Sequence, residues 1–535
     1  MRQMQEAEEK LRRKIKAPRP QAPAEEASPV TAPQSAVSEK ILIKTITVVD
    51  VTLIPQEEIQ KITSSYEGKE LTVADMQKIA DMITDLYRKK GFVTSRAYLP
   101  PQKLDNGILE IRIVEGAMGK VDVRGNKYFK TSLLKRRIAL KKGEPFNYNK
   151  LRENLSRINQ YPDRNARVVL VPGEEPLTTD VILEVKDRLP IHMNMGWDNF
   201  GSRYIEKDRF QSTLTHNNFL GFDDMLTFQY QLAESDAYRL TSVRYLFPFS
   251  DSTQIGMYST DTATNLGREF EDLTARGKSR VYGIYANYNF ISNDTVDVGM
   301  NIGFDYKDVF NFQLGSLTSR DRLRVVKIGF DSDFTDATGR TILLGEIATG
   351  IPGIMAGLEE QDGRSTRSGS GGSFVKNTFD FLRLQKMPFS STILFKNQIQ
   401  LSPSILPATE QYQLGGISNV RGYPPAELVG DRGYSTTVEW SAPAYFIPRG
   451  WKAPYAKETI YEALRIVTFY DWGHVRLRRP QAGEEKTKTL RSAGCGLRVN
   501  LSNNLFFRAD FAWPLDNTPT DGNHFHPWFQ LTKEF

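Results

Sequence analysis

Arg421 stands between Val420 and Gly422-Tyr423 at the centre of residues 411–434, QYQLGGISNVRGYPPAELVGDRGY. The stretch holds five glycines and two prolines, too much backbone punctuation for a helix or a regular strand. It lies between two runs that read as strands, 391–402 and 433–441, and a connection of this length is either disordered or folded for a purpose. A guanidinium is permanently charged and carries a fork of donors matched to a carboxylate. The chemistry this residue offers is ion pairing, and its partner has to come from elsewhere in the chain.

Other reactive residue types are sparse. The chain has one cysteine and five histidines in 535 residues, so neither an internal disulfide nor a cysteine-ligated metal is expected. His524 and His526 lie close together, yet with so few companions they predict no metal site. Cys495 alternates with Ala493, Leu497 and Val499, which predicts a small residue on an apolar face and not a reactive thiol. The net charge of +6 is spread along the chain without a concentrated basic patch, so no nucleic acid is expected as a partner. These features predict a protein that is not an enzyme and carries no cofactor.

The elements that must position Arg421 fall into distinct textures. Residues 1–17 read as a helix with a narrow apolar stripe of Met4, Ala7, Leu11 and Ile15, flanked by Glu–Lys and Glu–Arg pairs four residues apart. So thin a stripe suits polar surroundings, either a water-filled cavity or a solvated tail. Residues 18–38 carry five prolines among Ala, Ser and Glu and read as a linker. The N-terminus shows no signal-peptide pattern, which predicts either a cytosolic chain or a numbering that starts after a removed signal.

Residues 39–116 and 117–188 both read as strand, helix, helix, strand, strand, an internal repeat of about 75 residues. In the first, 71–90 is a helix with a capping box from Thr72 to Asp75, a buried stripe of Met76, Ile79, Ile83 and Tyr87, and Gly91 as its stop. Neither repeat holds a nucleophile–base pair or a ligand cluster, so both read as binding or scaffolding modules.

From 189 to 535 the texture is short alternating strands. Leu226, Phe228, Tyr230 and Leu232 alternate with Thr227, Gln229 and Gln231; Leu505, Phe507, Ala509, Phe511 and Trp513 alternate with Phe506, Arg508, Asp510 and Ala512. About sixteen such segments start near 191, 208, 224, 237, 252, 278, 296, 323, 340, 373, 391, 433, 463, 490, 504 and 525. Most connections after even-numbered segments are tight. Those after odd-numbered ones are longer, such as 261–277, 307–322 and 351–372. No apolar run reaches the roughly 18–20 residues of a membrane-spanning helix. An even count of alternating strands, with short turns at one rim and long loops at the other, predicts a transmembrane β-barrel. On the thirteenth strand, Leu464, Ile466, Tyr470 and Trp472 share one face, and Arg465, Phe469, Asp471 and Gly473 share the other. With the apolar face toward lipid, Asp471 points into the lumen and is one partner for Arg421; Glu439, on the polar face of the twelfth strand, is a rival. Gly473 leaves room for a loop to approach.

Two such repeats before a sixteen-strand barrel resemble paired POTRA domains. With the helix and linker before them and the long Val420-Arg421-Gly422-Tyr423 loop, 403–432, after the eleventh strand, the chain resembles TpsB-type transporters of two-partner secretion. These outer-membrane proteins belong to the POTRA-barrel superfamily. The family's second motif, Phe-x-Asp-x-Gly, matches Phe469-Tyr470-Asp471-Trp472-Gly473. The resemblance implies a bacterial outer-membrane pore with its POTRA domains in the periplasm. It implies a secreted TpsA-type exoprotein as partner, such as an adhesin, a cytolysin or a contact-dependent inhibition toxin. It also implies a monomer surrounded by outer-membrane lipid and inserted by the barrel-assembly machinery. It implies too that the loop folds into the barrel, that Arg421 pairs with Asp471, and that 1–17 is a pore plug. The chain ends on Phe535, with Phe525, Phe529 and Leu531 on the same face, similar to the terminal aromatic by which such barrels are recognised for insertion. An insertion factor for other barrels, from the same superfamily, is the alternative function.

Overall fold

A computed structural model describes residues 40–535 apart from 105, 294, 454–456, 502–503 and 517. The expected helix at 1–17, with Met4, Ala7, Leu11 and Ile15, and the linker at 18–38 lie outside the described residues. The chain divides at Pro190 into two compact units, each described by itself.

The N-terminal unit contains two sheets of the same order. In the first, Thr45–Val49 runs parallel to a central Ile108–Val114, with Arg96–Tyr98 antiparallel on its other side. In the second, Ala117–Arg124 runs parallel to a central Thr178–Asp187, with Arg164–Pro172 antiparallel. The helix Val73–Lys89 begins with the expected capping box, since the Thr72 hydroxyl accepts from the Asp75 amide and Asp75 accepts from the Thr72 amide. Met76, Ile79, Ile83 and Tyr87 are its buried stripe, each such apolar side chain contributing about 1.5–3 kcal/mol. The backbone leaves the helix at Gly91, where φ is +95°. The second repeat's helices, Thr131–Ile138 and Tyr148–Asn159, close a separate core around Leu134, Phe146 and Leu183. One short strand is additional to the expected pattern. Lys69–Leu71 pairs with Ile41–Ile43, and three residues are too few to show a period.

Glu115, between the two sheets, ties the first repeat together. Its carboxylate accepts from the amides of Thr52 at 2.9 Å and Leu53 at 3.0 Å, from the Thr52 hydroxyl, and from the Tyr87 hydroxyl at 2.8 Å. Burial alone would push this carboxyl up, but the Thr52, Tyr87 and Leu53 donors outweigh it and hold the group below its ordinary value. A depressed carboxyl contributes stability above the usual carboxylate range and loses it as pH falls through the depressed value. Glu115→Gln is therefore expected to destabilise the fragment 40–190 by about 1–3 kcal/mol at pH 7 and to flatten its acid-limb stability loss. Urea titrations between pH 7 and pH 3 measure both.

In the C-terminal unit, sixteen strands among the described residues close into an antiparallel barrel. The last strand, His526–Glu534, meets the first, Ile191–Asp198, over five paired positions from Gln530–Asp198 to Glu534–Asn194. Alternation puts Ile284, Ile302, Ile328 and Ile347 outward, each about half exposed, as expected of side chains solvated by lipid. Cys495 is also exposed on this outer face. Among the described residues no helix is long and apolar enough to cross a membrane.

The long loop expected at 307–322 is a hairpin. Strand seven runs Val296–Gln313 and strand eight Ser316–Thr335. They are joined by Leu314-Gly315 with φ of 49° and 77°, the positive pair a tight primed turn requires. Beyond the apolar band these strands carry Lys307, Asp308, Arg320 and Arg322, so their alternation no longer separates apolar from polar.

Candidate functional site

Loop 403–432 is more regular than its glycines and prolines suggest. Tyr412–Leu414 pairs antiparallel with Leu428–Gly430, making a small hairpin inside the 411–434 stretch. The glycines then serve the turn: Gly415 and Gly416 have φ of 114° and 86°, open to glycine at little cost. Asn419 knits the tip, its Oδ1 accepting from the Gly415 and Val420 amides at 2.7 and 2.8 Å. Val420 and Tyr423 then pack with Leu414, Val475 and Leu490 in a buried cluster against the barrel wall.

Arg421 is held between them, 2% exposed. Its Nε and Nη2 donate to the two oxygens of Asp471, both at 2.9 Å, and its backbone amide adds a third bond to the same carboxylate at 3.1 Å. Nη1 donates to Glu439 at 2.8 Å. The two carboxylates weighed as rivals are both partners, because the guanidinium fork presents separate edges to them. The Phe469 ring lies flat beneath the guanidinium, 3.3 Å from centroid to carbon, adding a cation–π contact. Trp528 on the last strand donates its indole N–H to the Arg421 carbonyl at 2.7 Å. The three positions of Phe469-Tyr470-Asp471-Trp472-Gly473 that face inward thus each meet the loop. Phe469 stacks, Asp471 chelates, and at Gly473 a Cβ would come within 2.3 Å of Leu414. Gly422 makes the matching approach, since a Cβ there would fall 2.6 Å from Ser492 Cβ and 2.8 Å from the Pro514 nitrogen.

Further charges were not singled out from sequence. Asp510 accepts from Arg498 Nη1 at 2.6 Å and from Arg508 Nη2 at 2.6 Å, and lies 3.5 Å from Arg421. Arg498 also reaches Glu439 at 3.3 Å. Three guanidiniums and three carboxylates therefore meet in one buried pocket. All but Arg421 sit on the inward faces of the consecutive strands twelve to fifteen, with Arg498 directly opposite Arg508. Alternation marks each as inward, but not that Arg498 and Asp510 reach across to Glu439 and Arg421. The foot of the loop has its own anchors. Glu410 accepts from Lys307 at 2.7 Å and Lys376 at 2.6 Å; burial would raise its carboxyl, but the two ammonium groups hold it well below the ordinary range. Asp431 accepts from Arg367 at 2.6 Å and from the Leu406 amide at 2.8 Å.

This arrangement clamps a loop to the barrel wall. Among the described residues no cluster of His, Cys, Asp and Glu could hold a metal ion. His526, on the last strand, instead lies 3.1 Å from Asp521.

The profile described as "Haemolysin secretion/activation protein ShlB/FhaC/HecB" matches residues 178–499. Two POTRA profiles match 41–116 and 117–188. Heme/hemopexin transporter protein HuxB of Haemophilus influenzae (strain 86-028NP) is 21% identical over 495 residues, 90% of this chain and 84% of that protein. Outer membrane transporter CdiB of Dickeya dadantii (strain 3937) is 22% identical over 412 residues, 73% and 71% of the two chains. Among solved structures, CdiB from Escherichia coli superposes with a TM-score of 0.72 at 19% identity, over 100% of this chain and 97% of that one. BamA from Haemophilus ducreyi lacking POTRA domains 1–3 superposes with a TM-score of 0.56 at 15% identity, over 92% and 100%. Likeness at such identity speaks for a shared fold.

Proposed function

Because the chain belongs to the haemolysin secretion/activation family of ShlB, FhaC and HecB, we propose that it is an outer-membrane pore that secretes an unfolded exoprotein. The observation that carries this reading is the loop clamped by Arg421 against the inner face of a closed barrel. A removable element of that kind suits a conduit that must stay shut between substrates. The relatives' names point to the cargo class: one is a heme/hemopexin transporter, others are a hemolysin transporter and outer membrane transporters named CdiB. In this reading the short-turn rim and the POTRA domains face the periplasm. The exoprotein is captured there, adding a strand to an open sheet edge such as Thr45–Val49 or Arg164–Pro172. Residues 1–17 serve as a plug that leaves before transport. The outer membrane offers neither ATP nor a proton gradient, so folding of the exported chain outside supplies the drive. The protein acts as a monomer, is itself inserted by the barrel-assembly machinery, and needs no cofactor.

Removing the protein from its host should clear the cognate exoprotein from the medium and leave the other barrels of the outer membrane at normal levels. Undiminished export would overturn the reading. Broad loss of other barrels would instead mark an insertion factor, a function to which the likeness to BamA lends only a shared fold.

A further inference from the structure

The strand register sorts the outer wall of strands five to nine into rows, and these rows change character abruptly. Ile302, Ile328 and Ile347 stand side by side in one row. Two rows toward the long-loop rim come Tyr282 and Tyr306, paired across the strands with ring centroids 6.2 Å apart, and then Arg324, buried over the Tyr306 ring and donating to the Met355 carbonyl. Paired tyrosines above an apolar band mark the membrane–water interface of a barrel. The next row holds Asp261, Arg280, Asp308 and Arg322, and the row after it Lys278, Phe310 and Arg320. Arg276 follows Lys278 on the same face of its strand. Each row advances about 6–7 Å along the strands, which puts these cations at headgroup level.

Some of this charge is answered within the protein. Arg280 pairs with Asp261 at 3.1 Å, and Asp308 takes Arg324 at 3.0 Å with Arg322 at 3.5 Å. Arg276, Lys278 and Arg320 have no carboxylate partner among the described residues, and Arg276 and Lys278 are exposed. Arg320 lies 5.4 Å from the Phe310 ring, and its buried Nε has no hydrogen-bond partner there. A protein surface that turns three cations without a carboxylate partner toward the headgroup layer, above the half-exposed Tyr282, is complementary to anionic headgroups.

We propose that Arg276, Lys278 and Arg320 form a binding site for the phosphate groups of a phosphorylated glycolipid in the outer leaflet. The lipid's acyl chains would lie over the row of Ile302, Ile328 and Ile347, with Tyr282 and Tyr306 at the level of its sugar. The site rests on the outer-membrane reading and on the assignment of the long-loop rim to the outer leaflet. It involves neither the exoprotein nor the Arg421 pocket.

The test uses the full chain purified in detergent, with bisphosphorylated lipid A, its dephosphorylated form and inorganic phosphate as separate probes. Native mass spectrometry counts retained lipid, and heat modifiability on gels reports an intact barrel. Wild type should retain bisphosphorylated lipid A and not the dephosphorylated form, and inorganic phosphate should neither bind stably nor compete at low millimolar levels. The triple variant Arg276→Ser/Lys278→Ser/Arg320→Ser should bind about a hundredfold more weakly at low salt, each cation near an anionic surface contributing a factor of about five. Asp261→Asn, which releases Arg280, should increase retention, a gain that misfolding does not produce. Equal retention of the dephosphorylated lipid, or unchanged binding by a folded triple variant, would overturn the proposal. Equal occupancy by inorganic phosphate would overturn the lipid assignment in favour of a free-anion site. None of these measurements uses export, so loss of the lipid site and failure of the secretion reading are told apart.

Discussion

Arg421→Ala is expected to abolish most secretion while leaving a folded barrel. The substitution removes the cation at the centre of the pocket and leaves Asp471, 0% exposed, without its bidentate partner. Breaking a buried pair from one side costs about 3–5 kcal/mol, or about two to nearly four decades in the population of the docked loop. The barrel's ladder of sixteen strands does not depend on this residue, so heat modifiability should persist. Arg421→Lys should rescue poorly, because one ammonium cannot serve Asp471 at two oxygens and Glu439 at a third position. Quantifying the exoprotein in the medium against barrel content in the membrane decides the matter. Normal export from Arg421→Ala would remove the clamp from the mechanism.

Gly422→Val is the second large effect, and it separates shape from charge. Every charge in the pocket is kept, but the new Cβ falls 2.6 Å from Ser492 Cβ and 2.8 Å from the Pro514 nitrogen. Backbone on a closed barrel yields little, so the loop has to move away. Export should fall as far as in Arg421→Ala, and single-channel conductance in a planar bilayer should rise as the loop leaves the wall. Gly363→Ala is the control, since a Cβ there meets nothing within 4 Å, and it should behave as wild type. A Gly422→Val protein with wild-type conductance and export would show that close approach at the tip is not what locks the loop.

Much of this was legible in the residues because much of it is local. The Thr72–Asp75 capping box, the stripe from Met76 to Tyr87 and the two-residue period of the strands are each written within a few positions. The pocket was half legible. Arg421, Asp471 and Glu439 lie on an obviously unusual loop and on the polar faces of neighbouring strands. Arg498, Arg508 and Asp510 sit on equally polar faces of one hairpin, with Arg498 opposite Arg508. What no local period encodes is that this hairpin's charges reach Glu439 two strands away and the Arg421 carried by the loop. Trp528 falls on the face opposite Phe529 and Leu531, so alternation puts it inward, but its bond to the Arg421 carbonyl depends on how the loop lies in the barrel, which no local pattern states. The hairpin over 307–322 was misread because period two reports burial on one side, and strands that rise beyond the bilayer have water on both.

The pocket's composition makes the loop's position electrically readable. With the tip docked, Arg421, Arg498 and Arg508 stand against Asp471, Glu439 and Asp510. Arg421 travels with the loop, whereas the other five belong to the barrel strands. Undocking therefore does more than widen a passage. It strips one positive charge from a balanced set and leaves a carboxylate in excess on the lumenal wall. A shut pore and an open one would differ in ion selectivity as well as in size, with the open form shifted toward cations. A threading polypeptide would meet a wall that favours its lysines and arginines over its acidic side chains.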